Sequence, residues 1–239
     1  MFHRLETSLK AQFPDPIGHK VQSGIRSDLH LKVGTIRTCK VLALHGEFSE
    51  SEAQTVGKEL LQDTIVENFA FGALNYLDIL PSLTHAVQVG FLPGVTDNVA
   101  RSAKESIEHL LGKSLDDHQV VFSATIYLLE APELKPEELE RVIQQILHNP
   151  VIECVEILSR GQLESGAGFS EFKPMDDVQT PATQVIPLLY LSGAELLKVS
   201  AEMCLALTEE EMVAIQKHYA NPETQKKRQA LGLTLDPTD

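Results

Sequence analysis

An internal repeat constrains this chain more than any other feature. The segment Leu60-Leu61-Gln62-Asp63-Thr64-Ile65-Val66-Glu67-Asn68-Phe69 returns 86 positions later as Ile146-Leu147-His148-Asn149-Pro150-Val151-Ile152-Glu153-Cys154-Val155, with apolar positions matched throughout. Repetition at a fixed period means that one supersecondary unit is used twice, so the fold is decided at the level of the unit. The same offset pairs Phe48-Ser49-Glu50 with Leu134-Lys135-Pro136, and each triplet opens an acidic amphipathic stretch. Ser49 with Glu52 forms an S-x-x-E capping box, and Pro136 stands at a first helical position, where its missing N–H costs nothing. Toward the N-terminus the offset is 82, which pairs Asp15-Pro16 with Asp97-Asn98 and places a four-residue longer connection in the second copy. A surface connection absorbs that difference easily.

In each copy an alternating segment, residues 5–10 or 86–92, leads through a Pro-containing turn to an Asp N-cap and a helix, residues 16–29 or 98–111. Apolar β-rich stretches over 33–44 and 120–129 follow, then the second helix and a closing strand, in the order β-α-β(β)-α-β. That order buries one face of an antiparallel sheet under two helices, a ferredoxin-like arrangement. One such unit has a small core, so two copies are expected to pack sheet to sheet or edge to edge as a covalent pseudo-dimer. The fold class expected is therefore α+β: unit 1 over 1–80, unit 2 over 81–158, an irregular connector over 159–192 and a helical tail over 193–239. The connector is marked by Gly161, Gly166, Gly168, Pro174, Pro181 and Pro187 among polar residues. In the tail, Thr208 with Glu211 supplies another capping box, and Leu196, Leu197, Met203, Leu205, Met212, Val213 and Ile215 fall on apolar stripes. A tail of this kind is expected to be poorly anchored alone and to dock on a further module.

Composition bounds the partners. The net charge is −14, with 20 Lys and Arg against 34 Asp and Glu, and no segment is basic, which disfavours nucleic acid and anionic lipid. The three cysteines, Cys39, Cys154 and Cys204, form no C-x-x-C pair and point to a reducing, cytoplasmic setting. The N-terminus carries no apolar signal-peptide core, and no apolar run approaches the roughly 18 residues needed to span a bilayer.

Candidate chemistry is sparse. Gly166-Ala167-Gly168 lacks the third glycine and the lysine of a phosphate loop. His109 and His118 have no ligand-spaced thiol or carboxylate, and Cys154 falls in a strand expected to be buried. The clusters Glu137, Glu138, Glu140 and Glu209, Glu210, Glu211 suit helix first turns, where the macrodipole favours carboxylates. Lys226-Lys227-Arg228 reads as a solvated helical face. The turn Leu92-Pro93-Gly94-Val95-Thr96-Asp97 is the better candidate, because a Pro-Gly turn between a first strand and an Asp-capped helix can aim the helix or hold a small ligand against backbone amides. Asp15, Pro16, Pro93, Gly94 and Asp97 are thus the candidate interface or ligand-turn residues; no catalytic, cofactor or metal residue is assigned.

These motifs resemble a known family. Leu9-Lys10 through Phe13-Pro14-Asp15-Pro16-Ile17-Gly18 is similar to the first-strand turn and helix of the small PurS-type subunit of phosphoribosylformylglycinamidine synthase, and Asp63 to Asn68 to its closing D/N-P-V-I-E segment. Leu92 to Asp97 and Asn149-Pro150-Val151-Ile152-Glu153 repeat the likeness. The stretches Gly193 to Ser200 and Leu205 to Ile215 resemble the approach to the large subunit's linker, and Pro237-Thr238-Asp239 the P-T-D before its catalytic module. The resemblance implies de novo purine synthesis, in which ATP and glutamine-derived ammonia convert formylglycinamide ribonucleotide to its amidine. It implies a non-catalytic assembly role, with a synthase module and a glutaminase as partners. ATP and magnesium belong to that synthase module, whose residues lie beyond P-T-D on a separate chain or on a continuation of this one. The competing expectation is a ligand-sensing regulatory module of ferredoxin-like, ACT-like type, sited at the Pro93-Gly94 turn.

Overall fold

The computed structural model describes residues 1–172 and 184–238. The chain divides into two compact units, Met1–Val178 and Gln179–Asp239.

The first unit is a mixed α+β body around one six-stranded antiparallel sheet. Its elements are β1 (Phe2–Leu9), α1 (Pro16–Asp28), β2 (Ile36–His45), α2 (Glu50–Val56), β3 (Glu67–Phe71), the short α3 (Tyr76–Ile79), β4 (His85–Phe91), α4 (Asn98–Leu111), β5 (Val120–Leu129), α5 (Pro136–Val142), β6 (Glu153–Ser159) and α6 (Arg160–Glu164). The strand order is β3-β1-β2-β5-β4-β6. Each β-rich stretch is one ten-residue strand, not two, so each half contributes three strands. β2 and β5 join the halves edge to edge over their whole length, from Ile36↔Leu129 to His45↔Val120. A single π-type turn ends the second helix of each half, Gly57–Leu61 and Ile143–Leu147. At Gly57 a Cβ would press on the Phe69 ring, which would have to shift to make room.

Local chemistry sets the helix starts. Asp15 and Asp97 cap α1 and α4, the Ser49–Glu52 box caps α2, and Pro136 opens α5. On the helical face the cores draw on both halves. Ile25 of α1 packs with Val142 and Ile143 over Val87, Val89 and Leu129, while Ala53 and Val56 of α2 pack with Ala100 and Ile107 of α4 over Leu5, Leu42 and Val121. Cys39, Val41, Ile126 and Leu128 on the opposite face are covered by Tyr76, Leu80 and Leu83, with Leu163, Phe169 and Phe172 alongside.

The start of the expected connector is therefore anchored. Ser159 and Gln162 form a capping box on α6, and Phe169 and Phe172 supply apolar area that draws the following residues onto the sheet. Pro174 and Pro181 lie outside the described residues, as does Asp239.

In the second unit α7 (Gly193–Glu202), α8 (Glu209–Ala220) and α9 (Pro222–Ala230) follow one another. Leu196 and Met212 are fully buried, with Leu188, Val199, Val213 and Ile215 around them. The tail thus closes a small core of its own. Its two ends are clasped: Ile186 N donates to Pro237 O at 2.8 Å, and the Asp236 carboxylate accepts from Leu188 N and Leu189 N. Arg228 is not merely a solvated cation, because it donates to Thr234 O and Asp236 O and lies over the Tyr219 ring. Among the described residues no helix is long and apolar enough to cross a membrane.

Candidate functional site

Asp15 and Asp97 do the same structural work at the two ends of the sheet. Asp15 Oδ1 accepts from Gly18 N at 2.8 Å, capping α1, while Oδ2 accepts from Thr38 N at 2.6 Å and Thr38 Oγ1 at 2.9 Å. Asp97 accepts from Ala100 N at 2.8 Å, from Ser123 N at 2.8 Å and from Ser123 Oγ at 2.9 Å. One carboxylate so ties each helix start to the central strand beside it, satisfying donors that neither helix nor ladder uses. Thr38 and Ser123 are related by an offset of 85, so the four extra residues of the second half are split, three before this point and one after it.

Pro16 is the first residue of α1. Pro93 and Gly94 form the turn Leu92–Val95, closed by Val95 N donating to Leu92 O at 3.1 Å, with Gly94 at φ 84°. Pro at the second position and a left-handed Gly at the third make this a type II turn. In the first half Phe13 N donates to Lys10 O at 3.0 Å, and no residue of that turn has positive φ.

The two motif groups in each half meet in space. Lys10 N donates to Val66 O at 2.8 Å and Leu92 N to Ile152 O at 2.9 Å, joining the first-strand turn to the segment before the closing strand. Lys10 Nζ adds bonds to Thr64 O and Ile65 O. Equivalent apolar side chains are exposed there, Ile17 and Ile65 at one end, Val99 and Val151 at the other.

A cleft of about 800 Å³ opens at the second of these ends. Its walls include Phe91, Pro93, Gly94, Phe122, Cys154 and Phe172. Phe122 and Phe172 stack with centroids 5.6 Å apart and planes 15° from parallel. Phe172 also lies across Gly90, where any Cβ would press on its ring. Cys154 is exposed, correcting the expectation of a buried strand position, because β6 is the outermost strand and has a neighbour on one side alone. Partial desolvation pushes its thiol pKa up, and its Sγ–H reaches Phe91 O at 3.7 Å.

Two features of the opposite sheet face were not signalled by any motif. Glu6 is fully buried and accepts from Arg4, from Tyr76 Oη at 2.8 Å and from Leu74 N at 2.8 Å, while Arg4 also reaches Gln88. Burial and then the Glu6 charge push the Tyr76 hydroxyl far up, and burial does the same to the Cys39 thiol, so both stay protonated. This cluster holds the 74–80 segment on the sheet. The other feature is Arg37, buried, which donates to Phe13 O at 2.8 Å, Leu9 O at 2.6 Å and Lys10 O at 3.1 Å.

Among the described residues no three His, Cys, Asp or Glu side chains group to hold a metal ion. No protein-family model matches the chain, and no curated protein matches it.

Proposed function

We propose that this chain is an assembly module of phosphoribosylformylglycinamidine synthase, built as two tandem ferredoxin-like, PurS-like units in a covalent pseudo-dimer. The observation that carries the reading is the meeting of its motif pairs: Lys10 with Val66 and Leu92 with Ile152 unite, at opposite ends of one sheet, the two segments on which the resemblance rests. Cores shared between the halves support it, because Ile25 with Val142, and Val56 with Ile107, each need the other half to be buried. Leu197, Met203 and Leu205 in the tail remain 39%, 36% and 44% exposed and provide apolar surface for a synthase module or a glutaminase. In this role the chain binds and orients partners, and ATP, magnesium and the formylglycinamide substrate are handled by the synthase module. The test mixes the full chain with separately purified synthase and glutaminase polypeptides and follows complex formation by light scattering after gel filtration. A ternary complex weakened by Leu197→Glu with Leu205→Glu is expected. Failure to associate with either polypeptide, or amidination by this chain alone, overturns the proposal.

A second reading is favoured by one observation, the cleft at the Pro93-Gly94 turn. A concave site with aromatic walls beside a Pro-Gly turn suits a small ligand and hence a regulatory module. Binding of amino acids or nucleotides at Gly94 to Thr96 is its test.

A further inference from the structure

Arg37 and Phe122 occupy equivalent places. Each immediately precedes the residue whose N–H and hydroxyl bond the capping aspartate, Thr38 in one half and Ser123 in the other. The register between β2 and β5 gives the same answer, because the pairs Arg37↔Leu128 and Ala43↔Phe122 exchange under an offset of 85. In the first half the Arg37 guanidinium fills the end of the sheet and donates to three carbonyls, those of Leu9, Lys10 and Phe13. Their equivalents in the second half are Phe91, Leu92 and Val95. There, among the described residues, Leu92 O receives only the turn's own Val95 N, no donor reaches Val95 O, and Phe91 O receives the long Cys154 Sγ–H contact. Phe91, Leu92 and Val95 line the same cleft as the stacked rings of Phe122 and Phe172.

We propose that the cleft beside Phe91–Val95 binds a guanidinium group, placed where the first half holds its own Arg37. A planar cation with several N–H donors is what the three carbonyls of the first half hold in Arg37, and an aromatic wall such as that of Phe122 and Phe172 stabilises the same kind of cation. The charges around it allow this. Glu156 and Glu171 stand on the lining, Glu156 already accepting from Ser170 N and Oγ, and Asp97 is saturated by its cap and strand bonds. Two cations also stand on the lining and are engaged by other groups: Arg101 pairs with Glu105 at 3.5 Å, and Lys104 donates to Asp116 O at 3.1 Å. The group could come from a free small guanidine or from an arginine side chain on a partner, which share this chemistry. The inference rests on the second reading above, that the turn is a ligand site, and is independent of the assembly role.

The experiment is an amide ¹H–¹⁵N titration of the full chain with agmatine, L-arginine, an acetyl-Gly-Arg-Gly-amide peptide, citrulline, and a purine nucleotide. Agmatine is expected to move Gly94, Val95 and Thr96 but not Gln12 and Phe13, whose site holds Arg37. Citrulline, isosteric but uncharged, is expected to bind at least about tenfold more weakly. Phe122→Arg, which supplies the guanidinium internally, should abolish the shifts; if that variant does not fold, Phe122→Ala should weaken agmatine binding about threefold through loss of the aromatic wall. Tighter binding of the peptide than of L-arginine identifies a partner's side chain as the source, and the reverse identifies a free guanidine. Citrulline binding as well as agmatine, or agmatine shifts confined to other residues, overturns the proposal. Shifts at Gly94 to Thr96 with the nucleotide alone defeat the guanidinium and keep the ligand site, whereas no shift there with any probe defeats both.

Discussion

The two ends of the sheet share a clamp and differ in what surrounds it. Asp15 with Thr38 and Asp97 with Ser123 make the same helix-to-strand link, yet Asp15 and Thr38 are buried, while the Asp97 link to Ser123 is only part-buried at the rim of a cleft. The difference traces to the neighbouring residue: Arg37 closes its end by donating to three carbonyls, and Phe122 leaves the equivalent end open. The carboxylate fixes the backbone in both places, and the side chain next to it differs. On the opposite face the halves differ in the same way, since the buried pair Arg4 and Glu6 of β1 aligns with Ala86 and Gln88 of β4, and Arg4 reaches across to Gln88.

Removing the clamp should break the comparison most. Asp15→Ala takes away a helix cap and leaves the Thr38 N–H and hydroxyl buried without an acceptor, at a cost of about 3 kcal/mol. Asp97→Ala removes the same bonds at a wetter site, where water replaces the carboxylate, and should cost about 2 kcal/mol. Urea unfolding of both variants checks this, and a larger loss for Asp97→Ala would contradict the burial argument. Arg37→Phe should follow at about 2 kcal/mol, because three carbonyls lose a charged donor at one stroke. That variant also sharpens the comparison: it copies the second half's residue into the first, so agmatine should then shift Gln12 and Phe13 as well as Gly94 to Thr96.

Much of this was legible in the sequence where the cause is local. The starts of α1, α2, α4, α5 and α8 follow from Asp15, the Ser49–Glu52 box, Asp97, Pro136 and the Thr208–Glu211 box, since a cap bonds its own first turn. The Pro93-Gly94 turn follows from the φ that each residue prefers. Other features depend on neighbours distant in sequence. Cys154 reads as buried from its apolar flanks, but exposure depends on β6 being an edge strand. Phe169 and Phe172 lie in a Gly-rich stretch that reads as connector, and the sheet face they cover is what orders them. The contrast of Arg37 with Phe122 was within reach, because an offset of 85, between the 82 and 86 of the flanking segments, aligns them.

The smallest expected effect concerns acid stability and a link found on one side only. Glu52 in the α2 capping box bonds Lys113, which follows α4, as well as Ser49. The Lys113 bond first, and then the Ser49 backbone and hydroxyl, hold its carboxyl pKa down to about 2. Its counterpart Glu138 has the box bond to Lys135 N, but the repeat puts Leu31 where the other half has Lys113, and among the described residues no ion pair to Glu138 forms. A carboxyl whose pKa is depressed on folding adds stability above its unfolded pKa of roughly 4.3, and that contribution is lost as pH falls toward 2. Because Lys113 and Glu52 are both partly exposed, at 38% and 29%, screening reduces the effect to a few tenths of a kcal/mol. Thermal midpoints of wild type, Glu52→Gln and Glu138→Gln, measured from pH 5 to pH 2, should therefore converge at low pH for the Glu52 variant, with its deficit confined to the upper end. Glu138→Gln should show a smaller deficit, from the box bond alone. Equal deficits for both would mean that the bridge to Lys113 contributes nothing and that the asymmetry between the halves at this position is energetically silent.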